Sequence, residues 1–402
     1  NAKRRHSLST ERGPPMRADT EGKPAEPTPR NQIPKPPGDL RSPFRRLGRM
    51  LRVCLRHRRY AQVVLWGITG PIAYFLTRFF LWLDTIVYPN LRTMRLTEPV
   101  FIVGHPRSGT TFLQRQLYRT GKASMFRTWE LWFPSLTMRR FFGPVVSLLR
   151  QLGLGQLRGP DSGHEVHLEA IEEDEAIFLH CLDTETMVFT CPWLLVDDDV
   201  ADFGLRLGWL DHHVTRKTMR FYDECLKRQL IHTGLPHVVA KSTPTVFRLP
   251  ELVQQFPDAR IIYVFRDPEE SIRSYLAMHE RYVGSALTDE EATTYFRRKY
   301  EWGVHLYRTF EEVRSCVPED QLMVLPFDDL VQQTEQTMER VLDFARIDHP
   351  GARLVPRKRR GKKHSNPPLE RFGLHPQQIR RDLDYLRRRY ARRRPAQRHH
   401  EW

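Results

Sequence analysis

The hydrophobic rhythm of the chain changes three times. Through residues 1–45 large apolar side chains are sparse among Pro, Arg, Glu and Ser. Such a stretch buries too little apolar surface to offset its ordering entropy and reads as a disordered basic tail. From Arg45 to Arg59 basic and apolar residues alternate at helical spacing. Residues 61–77 then carry no charge, and Arg78, a second apolar run at 79–83 and Asp84 follow. A spanning helix needs about 20 apolar residues, so the run is nearly long enough, but Gly67, Gly70 and Pro71 interrupt it. Spanning, with the basic residues 56–59 held on the cytoplasmic side, would put the body across the membrane with almost no stem. An interfacial helix, or one packed on the domain itself, fits the pattern better.

From Pro99 the rhythm is that of an α/β domain. Short apolar runs at 100–103, 237–240, 259–265 and 322–326 read as strands. Helical patterns start at Thr110 and cover 251–256, 269–279 and 334–345. Strands alternating with helices predict a mainly parallel sheet covered on both faces. This domain is expected over 96–380, after a basic, apolar segment at 46–95, and an Arg-rich tail or frayed helix at 381–402 closes the chain.

Composition changes the picture in one respect. The formal charge of +16 resembles that of a nucleic-acid binder. Its distribution argues otherwise: residues 1–60 carry +11 and residues 357–402 carry +12, which leaves the body at −7. Basic ends meet anionic membranes or nucleic acids without specificity, and no specific nucleic-acid partner is expected. The five cysteines show no paired spacing, which points to neither zinc nor a disulfide framework and favours a reducing compartment. The chain opens on Asn rather than Met, as after processing or truncation.

The strongest chemical signal is Gly104-His105-Pro106-Arg107-Ser108-Gly109-Thr110-Thr111, between the first strand and a helix. It has the glycine spacing of a P-loop, with Thr110 where the loop lysine belongs. Backbone amides at a helix start favour an anion. The hydroxyls of Ser108, Thr110 and Thr111 add donors, and Arg107 supplies positive charge. A plain Gly-rich turn is the bland alternative.

At residues 106–113 the chain resembles the 5′-phosphosulfate loop of the sulfotransferases that use PAPS (3′-phosphoadenosine 5′-phosphosulfate), in the branch with bacterial, Golgi carbohydrate and tyrosylprotein enzymes. Arg266, at a strand end, and Ser274, eight positions later, have the spacing of the pair that binds the donor's 3′-phosphate in that family. Lys241-Ser242-Thr243-Pro244, Phe327-Asp328-Asp329-Leu330 and the segment 364–374 resemble further family elements. The resemblance implies a P-loop-like three-layer α/β domain, PAPS as co-substrate, no metal, and a hydroxyl acceptor on a carbohydrate, glycolipid, small alcohol or tyrosyl protein.

Sulfuryl transfer requires a base for the acceptor hydroxyl and cationic stabilisation of the oxygen that leaves sulfur. Arg107 and Lys241 are the stabilisers by position, each worth roughly 3–4 kcal/mol. The family carries a Glu in the region of Glu130, which makes it the first candidate base. A helix-start carboxylate is the alternative reading of the same residue. His164, ahead of the acidic run Glu172-Glu173-Asp174-Glu175, is a second candidate, and His105 a third. The acidic run itself reads as a substrate contact, or more blandly as a solvated face or helix start.

A nucleoside kinase lacks support because the loop lysine and a strand-end metal aspartate are missing. A basic surface-binding protein with a vestigial loop is the remaining alternative. A cytoplasmic enzyme, peripheral to or anchored in a membrane, is expected, with a Golgi-type lumenal form as the minor reading.

Overall fold

The apolar runs expected as strands pair in parallel, because strands buried on both faces need near-continuous apolar sequence. The computed structural model describes residues 40–158, 166–208, 210–348 and 366–390. The chain enters through helices α1 (Pro43–Arg56) and α2 (Tyr60–Val87). Strand β1 (Val100–Gly104) leads to α3 (Thr110–Tyr118), β2 (Ala123–Ser124), α4 (Thr128–Trp132) and α5 (Leu136–Gln151). An antiparallel pair, β3 (Gln156–Arg158) and β4 (Val166–His167), precedes the 3-10 helix Asp174–Cys181, then α6 (Thr186–Thr190) and α7 (Ala201–Arg206). Next come α8 (His212–Thr233), β5 (His237–Lys241), α9 (Leu249–Gln255), β6 (Arg260–Phe265), α10 (Pro268–Val283) and α11 (Asp289–Val313). The order ends with β7 (Leu322–Pro326), α12 (Phe327–Gln332), α13 (Thr334–Ala345) and α14 (Pro376–Tyr390).

The sheet order is β2-β5-β1-β6-β7, and every pairing is parallel. Successive residues point to opposite faces. Phe101, Val103, Ile261 and Tyr263 join a core covered by α8, α9, α10 and α11, while Val100, Ile102, Ile262 and Val264 join one covered by α3, α12 and α13. This is the expected three-layer α/β arrangement. From β1 the chain goes to one side for β2 and β5, then to the other for β6 and β7. Such a switch opens a crevice outside the carboxyl end of the central strand, and the glycine loop leaves β1 there.

Ordered structure reaches into both stretches set apart as ends. Arg46 Nη1 donates to the Leu40 carbonyl at 2.5 Å, so the folded chain begins before residue 45. Helix α14 runs through residues 381–390, the first part of the stretch expected as an Arg-rich tail or frayed helix. It docks through Ile379, Leu383 and Leu386, one turn apart, and Tyr300 donates to Asp382 at 2.6 Å. Residues 1–39, the basic run 357–363 and residues 391–402 lie outside the described residues.

The apolar segment forms one 28-residue helix despite Pro71. Gly70 lets α1 approach, since a Cβ there would sit 3.3 Å from Leu47. Asp84 is fully buried and accepts from Arg228 Nε at 2.7 Å and from the Leu136 and Thr137 amides at 2.9 and 2.8 Å. One carboxylate thus neutralises α8 and caps α5, and losing one partner of such a buried pair costs about 3–5 kcal/mol.

Candidate active site

The loop after β1 is shaped by two glycines in the left-handed region, Gly104 (φ 146°) and Gly109 (φ 103°), with Arg107 also at positive φ (71°). Side chains would not fit at either glycine. A Cβ at 104 would lie 2.6 Å from the Val264 carbonyl oxygen, and one at 109 would lie 2.3 Å from the Phe327 ring. The loop is therefore clasped between β6 and the start of α12. Helix α3 begins at Thr110 without a side-chain cap, so its first amides are left for an anion. The Ser108 hydroxyl is buried and has no hydrogen-bond partner among the described residues.

Two cationic arms close on this loop. Arg266, at the carboxyl end of β6, donates from Nη1 to the Arg107 carbonyl at 3.1 Å and lies over the Phe327 ring. Its remaining nitrogens meet Glu270, at 2.7 Å from Nη2. Arg107 Nε donates to Ser274 Oγ at 3.2 Å. Arg107, Arg266 and Ser274 therefore gather on one side of the loop. The turn between Arg266 and Ser274 is braced by Asp267, which caps α10 and accepts from Arg387 of α14 at 2.6 Å. That brace is invisible to motif reading.

On the other side, Lys241 at the carboxyl end of β5 donates from Nζ to Thr111 Oγ1 at 2.9 Å and pairs with Glu173 at 3.0 Å. The other Glu173 oxygen accepts from the Thr243 amide and hydroxyl at 2.8 and 2.6 Å. The acidic run begins a helix, as one reading had it, but it is no solvated face. Asp174 and Glu175 are buried. Asp174 accepts from Tyr222 at 2.6 Å, and burial pushes its carboxyl up to about 7. Glu175 pairs with Arg248 at 2.9 Å and accepts from Ser242 at 2.8 Å. Burial raises its carboxyl despite that arginine. The run braces the end of β5, with Glu173 facing Lys241.

The remaining candidates lie apart from these groups or outside the description. Glu130 is buried at the start of α4, where its carboxylate accepts from the Arg127 amide at 2.8 Å and Gln229 at 3.0 Å and meets His232 at 3.2 Å. Burial acts to raise this carboxyl, but His232, Arg139 and the Arg127 amide outweigh it and hold it below the usual carboxylate range. The contacts described for it run to α4 and α8. His105 is buried, donates from Nδ1 to the Pro106 carbonyl at 2.6 Å and stacks on Tyr307. Burial lowers its pKa to about 3, so it stays neutral. His164 lies outside the described residues.

Known proteins with similar sequences and folds carry the same chemistry in their names. Two curated relatives, named omega-hydroxy-beta-dihydromenaquinone-9 sulfotransferase Stf3, come from Mycobacterium bovis and Mycobacterium tuberculosis. Each is 26% identical over 263 residues, which is 62% of this chain. The match spans 63% of the length of those relatives. The crystal structure of sulfotransferase STF1 from M. tuberculosis covers 85% of this chain and 91% of its own, with a TM-score of 0.60 at 16% identity. That of STF9 from Mycobacterium avium covers 77% and 81%, with a TM-score of 0.60 at 14% identity. These two establish the shared fold. The Sulfotransferase family model matches residues 99–351, a span that contains β1, the glycine loop, Lys241, Arg266 and Ser274, and the chain therefore belongs to the sulfotransferase family.

Proposed function

We propose that this protein transfers the sulfuryl group of PAPS to an acceptor hydroxyl and releases 3′,5′-ADP. The observation that carries this reading is the meeting of two phosphate motifs in one site: Arg266 bonds the Arg107 carbonyl while Arg107 bonds Ser274. A donor with a phosphate at each end of its ribose suits two separate cation sets. Arg107, Arg266 and Ser274 would hold the 3′-phosphate. Ser108, Gly109, Thr110 and Thr111 would hold the 5′-phosphosulfate through amides and hydroxyls. The buried Ser108 hydroxyl and the uncapped start of α3 fit such a group.

In the reaction the acceptor oxygen forms a bond to sulfur as the bond from sulfur to the bridging 5′-phosphate oxygen breaks. The hydroxyl proton passes to a base, and negative charge collects on the bridging oxygen. Lys241, in contact with Thr111, is the cation for that oxygen. We assign the base to Glu173, because its carboxylate touches Lys241 and its side chain stays partly open at 27% exposure. Glu130, the family-like candidate, is the second assignment. Its buried bonds to Gln229 and His232 suit a role in fixing α4.

For the acceptor, the name of the mycobacterial relatives supports a hydroxyl carried on a lipid. Their bacterial source supports a compartment other than the Golgi. The test is transfer of label from sulfur-labelled PAPS to a panel holding a hydroxylated isoprenoid quinone, a sugar, a small alcohol and a tyrosyl peptide. Labelled lipid product supports the full reading. Labelling of another acceptor alone overturns the lipid assignment, and label transfer from ATP with magnesium in its place overturns the sulfotransferase reading.

A further inference from the structure

Helix α2 is apolar nearly all round, yet only one side of it is covered. Gly70, Thr77, Leu81 and Asp84 are its buried residues and form a single stripe. That stripe is bound to the domain along its length. Gly70 meets Leu47 of α1, Thr77 bonds His180 at 3.0 Å, and Asp84 is locked to Arg228 and the start of α5. A helix tied to the domain along one side offers only its other side to lipid, which suits lying on a bilayer better than crossing it. Its opposite side presents Leu65, Ile68, Ile72, Phe75, Phe79 and Trp82, each more than half exposed and spaced by threes and fours. Helix α5, packed against α2, adds Phe141, Val145 and Leu148 in an exposed stripe of its own. Of the twenty exposed large hydrophobic side chains among the described residues, fifteen belong to these two helices and the turn after α5. Scattered exposed apolar residues are ordinary; a concentration of this kind is not.

Charge identifies the occupant. Residues 41–97 and 131–158 contain fifteen arginines and a single carboxylate, the buried and paired Asp84. Exposed arginines stand at both ends of α2, Arg52 and Arg58 before it and Arg92 and Arg95 after it, while Arg140 and Arg150 lie on α5. A second copy docked here through a two-fold axis would set this basic rim against itself. An anionic bilayer surface matches both features: headgroups for the arginines and acyl chains for the stripe. We infer that α2 and α5 form a monotopic membrane-docking face, on which the α2 axis lies in the plane of the leaflet for about 42 Å.

The test is flotation of the full chain with vesicles of phosphatidylglycerol and phosphatidylcholine. It compares wild type with Phe75→Asp/Phe79→Asp and with Arg58→Glu/Arg92→Glu/Arg95→Glu. All of these positions are exposed, and unchanged 3′,5′-ADP affinity and circular dichroism certify the fold. The apolar variant is expected to lose roughly tenfold or more in vesicle partitioning. The charge variant should weaken binding to anionic vesicles and reduce its salt dependence. The inference falls if wild type stays in solution, or if the apolar variant floats like wild type because basic segments alone bind. It also falls if wild type is a dimer that the apolar variant dissociates, with no vesicle binding. Flotation reads attachment alone, so its failure leaves the donor chemistry untouched.

Discussion

The Arg107 guanidinium donates from Nε to Ser274 Oγ at 3.2 Å, joining the loop after β1 to the second turn of α10. In the proposed donor site the hydroxyl would work on two levels, as a donor toward the 3′-phosphate and as a stop for the arginine beside it. Ser274→Ala is expected to weaken 3′,5′-ADP binding roughly 10- to 100-fold, the usual range for a hydrogen bond to a charged group. Binding of 5′-AMP should not change. Equilibrium dialysis with both nucleotides checks this, and an equal loss for the two would move Ser274 out of the 3′-phosphate site.

In the proposed mechanism Lys241 and Glu173 would serve the chemistry and not donor binding. With Lys241→Met, kcat is expected to fall about 100- to 1000-fold, while affinity for 3′,5′-ADP changes little. Glu173→Gln should lower kcat about 100-fold or more and leave 3′,5′-ADP affinity unchanged. Glu130→Gln should lower thermal stability and largely keep kcat. The converse pattern would transfer the base to Glu130.

Asp174 links the site to the stability of the fold. Its folded pKa of about 7 lies above its ordinary 3.8, so between those values the native state holds a proton that the unfolded chain has lost. Its contribution to stability is present below the unfolded pKa and falls as pH rises through that window, by at most about 4 kcal/mol. Asp174→Asn should therefore gain on wild type as pH rises from 4 to 7, with a constant difference above that. Urea unfolding of both proteins across this range checks it, and a difference independent of pH would contradict the assignment.

The sheet and the loop were largely legible because their signals are local. The β7 strand and α13 fall on the residues their apolar patterns predict, and the other three predicted strands differ from the observed ones by a residue at one end. The two-residue β2 strand carries no periodic signal. Glu173 stood in a run whose bland reading was a solvated face. Only folding shows that it meets Lys241, from a distant part of the chain. Asp84 looked like a charge ending an apolar run, and its meaning lies in Arg228, which no spacing rule connects to it. The brace from Arg387 to Asp267 lay hidden in an arginine-rich ending whose composition resembles a tail.

The proposed donor site requires a 3′-phosphate held by Arg266. Calorimetric binding of 3′,5′-ADP, 5′-AMP and ATP to wild type and to Arg266→Ala, with and without magnesium, is its direct test. Tight, metal-independent binding of 3′,5′-ADP, far weaker binding of 5′-AMP, and a loss of roughly 10- to 100-fold in the variant for 3′,5′-ADP alone are expected. Equal affinity for 3′,5′-ADP and 5′-AMP, or preference for ATP with magnesium, would contradict it.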